Sequence, residues 1–437
     1  MTVTAAQTEL PAVPTRAGSF SWDDTEARAA FPSLAVKDDG VPRVYMDAPG
    51  GTQVAGRVLA RMREALVDHC ANDGGVFRTS RLAEQSMFQA HAAAAEFLGA
   101  GADEVVFGLN TTSLLFHFSR MLARDWAAGD EIVLTRMDHD ANVAPWLIAA
   151  AERGVSVRWL EFDPATFQYR YDMLPQLIGP RTRLVACNHA SNLLGTINDV
   201  ARIVAAGRAA GAVTVVDAVQ SAPHLVIDVA AIGCDLLASS PYKYFGPHAG
   251  LLYVRRALAD RLTPLKVRPS PDAMPFKHAP GTPSFEAQLG TVGAFEHIAW
   301  LGERFAGVPG GASLRERIAG GFAAANAHER TLAARFLGGL AELPNIRVYG
   351  SSDPGAVAGR VPTFSLRIGR LAPTDVAEAF ARRNIYVWAG SFYAYEVAGA
   401  LGVRDDGGVV RIGFAHYNTL AEVETVLALL GELARAA

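Results

Sequence analysis

Lys243 lies in the Ser/Pro/Tyr/Gly loop of LLASSPYKYFGPHAGLLYV, and Asp217 ends the apolar run TVVD upstream, with Gln220 about one turn further on. One short apolar strand separates the two motifs, so an amine and a carboxylate come from the ends of neighbouring strands. Such a pair can grip opposite sides of one flat cofactor. Pyridoxal phosphate has those two needs: an amine to bond its aldehyde, and an anion to keep its ring nitrogen protonated so that the ring withdraws electrons. Taken alone, Asp217 reads as a helix cap and Lys243 as a solvated loop lysine. The cofactor's remaining needs decide between the readings.

Its phosphate needs donors at a helix start. Gly108-Leu109-Asn110-Thr111-Thr112 follows the strand EVVF and opens a helix, so free amides and the hydroxyls of Thr111 and Thr112 converge where the helix dipole favours an anion. The plain alternative there is an N-cap. Ser240, three residues before Lys243, is placed to donate from the far side. His139, in MDHDAN after the strand EIVLT, offers a flat partner for one ring face, or else a hydrogen-bonded turn histidine. Asn192 in CNHASNLLGT is a candidate for the ring's phenolic oxygen or the substrate, as is Gln220. Arg411, on a predicted strand in GVVRIGFAHYN, can fork onto an α-carboxylate, with an ion pair as the alternative.

These residues need a scaffold that brings strand ends together. Short β-branched runs at Glu104–Phe107, Glu131–Thr135, Val155–Leu160, Leu184–Cys187, Val213–Val216 and Leu251–Val254 alternate with Ala-rich helical stretches, which predicts a mostly parallel α/β sheet covered by helices. Ligands of such sheets bind beyond the carboxyl ends of the strands, where the motifs fall. After about Leu301 the pattern changes to a long Ala-rich helix over Ala312–Leu343, then strands near Ile346–Tyr349, Thr363–Ile368, Ile385–Trp388 and Val409–Phe414 with helices at Pro373–Arg382 and Leu420–Leu433. We expect a flexible N-terminal arm over 1–18, a segment 19–45 packing with the small domain, a large domain over 46–305 and a small one over 306–437, hinged between Gly302 and Gly311.

With 44 acidic against 40 basic residues and a net charge of -4, nothing favours nucleic acid or membrane surfaces. Three cysteines, Cys70, Cys187 and Cys234, are too few and too irregular for a disulfide framework or a thiolate metal site, so no metal and a reducing cytoplasm are expected. No signal or membrane anchor is read in the sequence.

From about Tyr45 to Leu430 the chain resembles the class V group of fold type I pyridoxal phosphate enzymes, which holds cysteine desulfurases, selenocysteine lyases, carbon-sulfur lyases and isopenicillin N epimerase-like proteins. The resemblance rests on YMDAPGG, FGLNTT, MDHDANVAPW, NHASNLLGT, VVDAVQ, SSPYKYFGP, PGTPSFE and VRIGFAHYNT in that order. It implies a seven-stranded, mostly parallel sheet in the large domain and a smaller C-terminal α/β domain. It implies that Lys243 bonds the cofactor and then moves the α-proton, that Asp217 pairs with the ring nitrogen and Gln220 with the phenolic oxygen, and that His139 stacks on the ring. Thr111, Thr112 and Ser240 would hold the phosphate, Arg411 the substrate carboxylate. Thr282 in PGTPSFE resembles the threonine that reaches the neighbouring subunit's phosphate, which implies a homodimer with shared active sites acting on a small amino acid.

The departures bear on the reaction. The loop where desulfurases carry the cysteine that accepts sulfur reads Trp388-Ala-Gly-Ser-Phe-Tyr393-Ala-Tyr395, with Tyr393 nearest the expected position and Trp388 where a basic residue is common; no cysteine follows Cys234. Tyr242 stands where desulfurases usually have histidine. A phenol cannot accept sulfur as a thiolate does. The leading expectation is therefore a lyase that cleaves the carbon-sulfur bond of an S-substituted cysteine, with Trp388 and Tyr393 facing a larger, flatter or more apolar substrate. Decarboxylation-coupled deamination, transamination or epimerisation is the alternative, and a non-catalytic binding protein on the same fold is the other class.

Overall fold

In the computed structural model, which describes residues 20–437, the apolar runs form a middle layer, buried on both faces except for the half-buried edge strand Ser156–Leu160. Seven strands, β1 (Val105–Gly108), β2 (Glu131–Thr135), β3 (Ser156–Leu160), β4 (Thr182–Asn188), β5 (Val213–Asp217), β6 (Leu236–Ser239) and β7 (Gly250–Val254), make one sheet in the order β1-β7-β6-β5-β4-β2-β3. Only β7 opposes its neighbours; the other pairings are parallel. The mostly parallel seven-stranded sheet implied by the resemblance is present. Successive residues alternate between two cores, as the pleat requires: Val133 and Val185 pack on one side, Ile132, Leu134, Leu184 and Ala186 on the other.

Helices cover both faces. Those used below are α1 (Thr111–Leu122), α2 (Phe285–Phe305) and α3 (Leu314–Ala341). Gly302, expected in a hinge, instead lies inside α2, where an added Cβ would strike the carbonyl oxygen of Arg317 in α3. The glycine serves a close helix crossing.

Beyond α3, strands β8 (Ile346–Tyr349), β9 (Thr363–Ile368), β10 (Trp388–Gly390) and β11 (Val409–Gly413) form an antiparallel sheet in the order β8-β9-β11-β10. Its core includes the rings of Phe336, Phe364 and Phe414. The run expected as one strand over Ile385–Trp388 is divided, because its two halves have different partners. Ile385–Tyr386 pairs in parallel with Val44–Tyr45, and Trp388 opens β10 against β11. Met46 and Asp47 continue from that pairing to the end of β11, where Gly413 N donates to Met46 O. The expected arm over 1–18 lies outside the described residues. Among the described residues no helix is long and apolar enough to cross a membrane, and no group of three or more His, Cys, Asp or Glu is placed to hold a metal.

Candidate active site

The carboxyl ends of β2, β4, β5 and β6 open onto a cleft of about 500 Å³, including its mouth. Thr111, Thr112, His139, Asn192, Asp217, Gln220, Ser240, Tyr242 and Lys243 all line it, joined by Asn188, Ala190, Ala141 and Val219. Trp388, Tyr393, Arg411 and Thr282 are absent from that lining.

At one end stands the start of α1. Asn110 caps it, its side chain accepting from Ser113 N at 2.8 Å, while Thr111 Oγ1 donates to Ser239 O at 2.7 Å and lies 2.6 Å from Ser240 Oγ. The opening amides of a helix have no partner within it, so hydroxyls and N–H groups converge here on space suited to an anion. Gly250 permits the convergence: a Cβ there would sit 2.6 Å from Asn110 O and 2.7 Å from Thr111 N.

Lys243 follows Ser240 through a single 3₁₀ turn and is buried. Its Nζ donates to Pro49 O and, at 3.1 Å, to Gly50 O. Burial and then the Arg411 charge bring its pKa down to about 7, against the pull of Asp47 and Asp217. Asp217 Oδ1 accepts from Val219 N at 2.8 Å; burial pushes its carboxyl up to about 6, with that hydrogen bond and Lys243 opposing. His139 Nδ1 accepts from Ala141 N at 3.0 Å, and burial, then Lys243 and Arg411, lower it to about 4, so the ring is neutral with its proton on Nε2. Tyr242 stacks on His248 with centroids 4.8 Å apart, and its ring centre is 5.0 Å from Lys243 Nζ.

Two amides span the lobes. Gln220 Nε2 donates to Thr363 Oγ1 of β9 at 3.0 Å, and Asn192 Nδ2 to Phe392 O at 2.9 Å; each amide oxygen is buried with no partner. Arg411 is buried just beyond, bonded at 3.3 Å to both Asn192 O and Asp47 Oδ1, with Nε unpartnered. Trp388 and Tyr393 are exposed, and the Tyr393 ring lies 5.4 Å from that of His139. Thr282 is exposed on the loop before α2.

Pyridoxal phosphate fits these residues: a buried amine, an anion cradle and a buried carboxylate line one cleft, and two residues of the same lining, Asn192 and Gln220, carry buried amide oxygens without partners. Asp47 was missed by sequence reasoning, although the motif YMDAPGG that carries it stood out. So was a buried network behind His139, in which Asp138 accepts from Asn142 Nδ2 at 2.7 Å and from Thr135, Tyr169 bridges Thr135 to Asn188, and Asn188 Nδ2 donates to Met137 O at 2.8 Å. It ties the ends of β2 and β4 together.

The Aminotransferase class-V family profile matches residues 44–426. The chain is 33% identical over 421 residues to an aminotransferase-like protein, FGM3, of Gibberella zeae, covering 94% of this chain and 98% of that one. It is 31% identical to a cysteine desulfurase of Dickeya dadantii, covering 93% and 96%. The apo structure of a cysteine desulfurase from Thermococcus onnurineus NA1 superposes with a TM-score of 0.82 at 27% identity, covering 96% of this chain and all of that one. By its motifs, its fold and this match across nearly its whole length, the chain belongs to the class-V aminotransferase family of pyridoxal-phosphate-dependent enzymes.

Proposed function

We propose that the protein is a carbon-sulfur lyase acting on an S-substituted cysteine. The observation that carries this reading is the lack of a thiol at the cleft: Tyr393 occupies the loop, Cys70 is exposed away from the lining, and Cys187 and Cys234 are buried in the core with burial pushing both thiols up. Sulfur then has no acceptor on the protein and leaves with its substituent. The substrate loses the proton on Cα, the Cβ–S bond breaks with its electron pair on sulfur, and the thiolate takes up a proton; the aminoacrylate left behind hydrolyses to pyruvate and ammonium.

Bound pyridoxal phosphate supplies an electron-withdrawing ring. The chain's own residues do the rest. Lys243, with a pKa of about 7, has a neutral amine available to hold the cofactor and then to take the α-proton at Nζ. Asp217 keeps a negative charge beside the ring nitrogen, and Gln220 and Asn192 orient the ring and the substrate. His139, neutral, covers one face without repelling a cation. Thr111, Thr112 and Ser240 take the phosphate, Tyr242 borders Lys243, and Arg411 receives the substrate carboxylate. Thr282 reaches the phosphate site of a second copy in a homodimer.

The test is to incubate the cofactor-loaded protein with S-substituted cysteines and follow thiol, pyruvate and ammonium. Equal amounts of all three are expected. Keto acid or inverted amino acid formed without thiol would overturn the reading in favour of transamination, decarboxylation-coupled deamination or epimerisation, and no turnover with no bound chromophore would mark a binding protein.

A further inference from the structure

In the C-terminal sheet Arg411 stands directly opposite Ser365 on one side and Trp388 on the other. Directly opposed residues of antiparallel strands share a face, so these three side chains form one row. The row is packed at its inner end, where Ser365 Oγ donates to Leu193 O at 2.6 Å, and buried at its centre, Arg411. Its outer end is open: Trp388 is 59% exposed.

The loop that follows β10 is fixed, although the Tyr393 side chain stands out in water. Asn192 Nδ2 holds Phe392 O, and Asp140 N donates to Tyr393 O at 2.8 Å. Both Phe392 and Tyr393 take left-handed backbone, with φ of 57° and 55°, a conformation unfavourable to a non-glycine residue that persists where surrounding bonds enforce it. The outcome is that Phe392 covers the Arg411 guanidinium, ring centre 3.9 Å from Cζ, and Tyr393 projects beside His139 while 75% exposed. Trp388, on the sheet face that carries Arg411, and Tyr393, beside His139 of the cleft lining, are thus two large aromatic side chains held in water. The cleft lining mixes polar Asn188, Asp217 and Gln220 with apolar Ala141, Ala190 and Val219, and bound cofactor takes up that space, which leaves a substituent the mouth.

We propose that Trp388 and Tyr393 form the subsite for the substrate's sulfur substituent, and that this substituent is a flat, apolar, aromatic group. A carboxylate on Arg411 and an α-carbon at Lys243 direct the remaining side chain to that mouth, where stacking on two rings favours an aromatic group over an alkyl one. This inference rests on the lyase reading for the presence of sulfur, and on the loop geometry alone for the aromatic preference.

The experiment uses the cofactor-loaded protein and amino acids that cannot lose thiol. Homophenylalanine, the carbon analogue of S-phenylcysteine, and alanine are titrated by the change in cofactor absorbance. The wild type is expected to bind homophenylalanine about tenfold more tightly than alanine. In Trp388→Ala and Tyr393→Ala that ratio falls towards about twofold, and Tyr393→Phe restores it. No preference in the wild type, or a ratio untouched by either alanine variant, would overturn the subsite. Sedimentation of the same variants covers the other occupant: dissociation of an oligomer with an unchanged ratio would mean that the two rings hold a second copy of the chain, and would also overturn it. Preference without thiol from S-phenylcysteine would retain the subsite and refute the lyase; thiol released equally well from S-methyl and S-phenylcysteine, without preference, would do the reverse.

Discussion

Arg411 sets Nη2 3.3 Å from Oδ1 of Asp47 and leaves its buried Nε without a partner. Charge-assisted contacts settle at about 2.7–2.9 Å, so this guanidinium is held loosely and keeps donors for an incoming carboxylate. Burial pushes the Asp47 carboxyl up, against the Arg411 charge that pulls it down. Arg411→Lys loses the fork and is expected to weaken amino-acid binding by about 10- to 100-fold, read from the amino-acid dependence of the absorption spectrum. Undiminished affinity would remove Arg411 from the carboxylate site.

Lys243 bonds an aldehyde only as the neutral amine. Because its proton is lost near pH 7 and not near the ordinary 10.5, capture of pyridoxal phosphate by cofactor-free protein should accelerate about tenfold per pH unit below 7 and level off above it. Stopped-flow absorbance gives the profile, and a rate still climbing near pH 10 would contradict a depressed amine. Lys243→Ala should show neither the lysine-bound absorption band nor turnover.

Asp217 makes the opposite contribution to the cofactor-free fold. Its carboxyl is raised from 3.8 to about 6, so the folded state holds the proton more tightly; the associated stability is complete below about pH 4 and is lost as pH rises through 6. At pH 8 the buried carboxylate is a burden, and Lys243 is mostly neutral there. Asp217→Asn should therefore raise the melting temperature of cofactor-free protein at pH 8 by a few degrees while abolishing turnover. A lower melting temperature would show that the charge is compensated in the empty cleft.

Replacing Cys70, Cys187 and Cys234 together by alanine should leave thiol release intact. The two buried positions will cost stability, by roughly 1 kcal/mol each for the lost sulfur contacts. Loss of turnover in variants that keep native circular dichroism and the cofactor band would reveal a sulfur carrier among them.

Most of the β-branched runs read as strands because they are buried on both faces, which leaves no period-2 pattern but an unmistakable apolar block between turn residues; the half-buried edge strand Ser156–Leu160 is the exception. The cleft-lining residues were legible for a related reason: they follow strand ends directly, and a strand end in such a sheet has a known position. What escaped depends on pairing between distant segments. Pro49 and Gly50 hold Lys243 through backbone carbonyls, which have no side-chain signature. The division of the run at 385–390 likewise follows from two different partner strands, and nothing in its own composition marks the break.

Gln220 and Asn192 each spend one arm on the C-terminal lobe and aim an unpartnered oxygen at its buried surroundings. A cofactor and substrate that engage these amides complete a continuous chain of hydrogen bonds from the cleft, through two rigid planar groups, into Thr363 of β9 and the backbone of the aromatic loop. Filling the cleft then stiffens the joint between the lobes, and occupancy becomes readable far from the chemistry, as slower amide exchange along β9 and across residues 391–394.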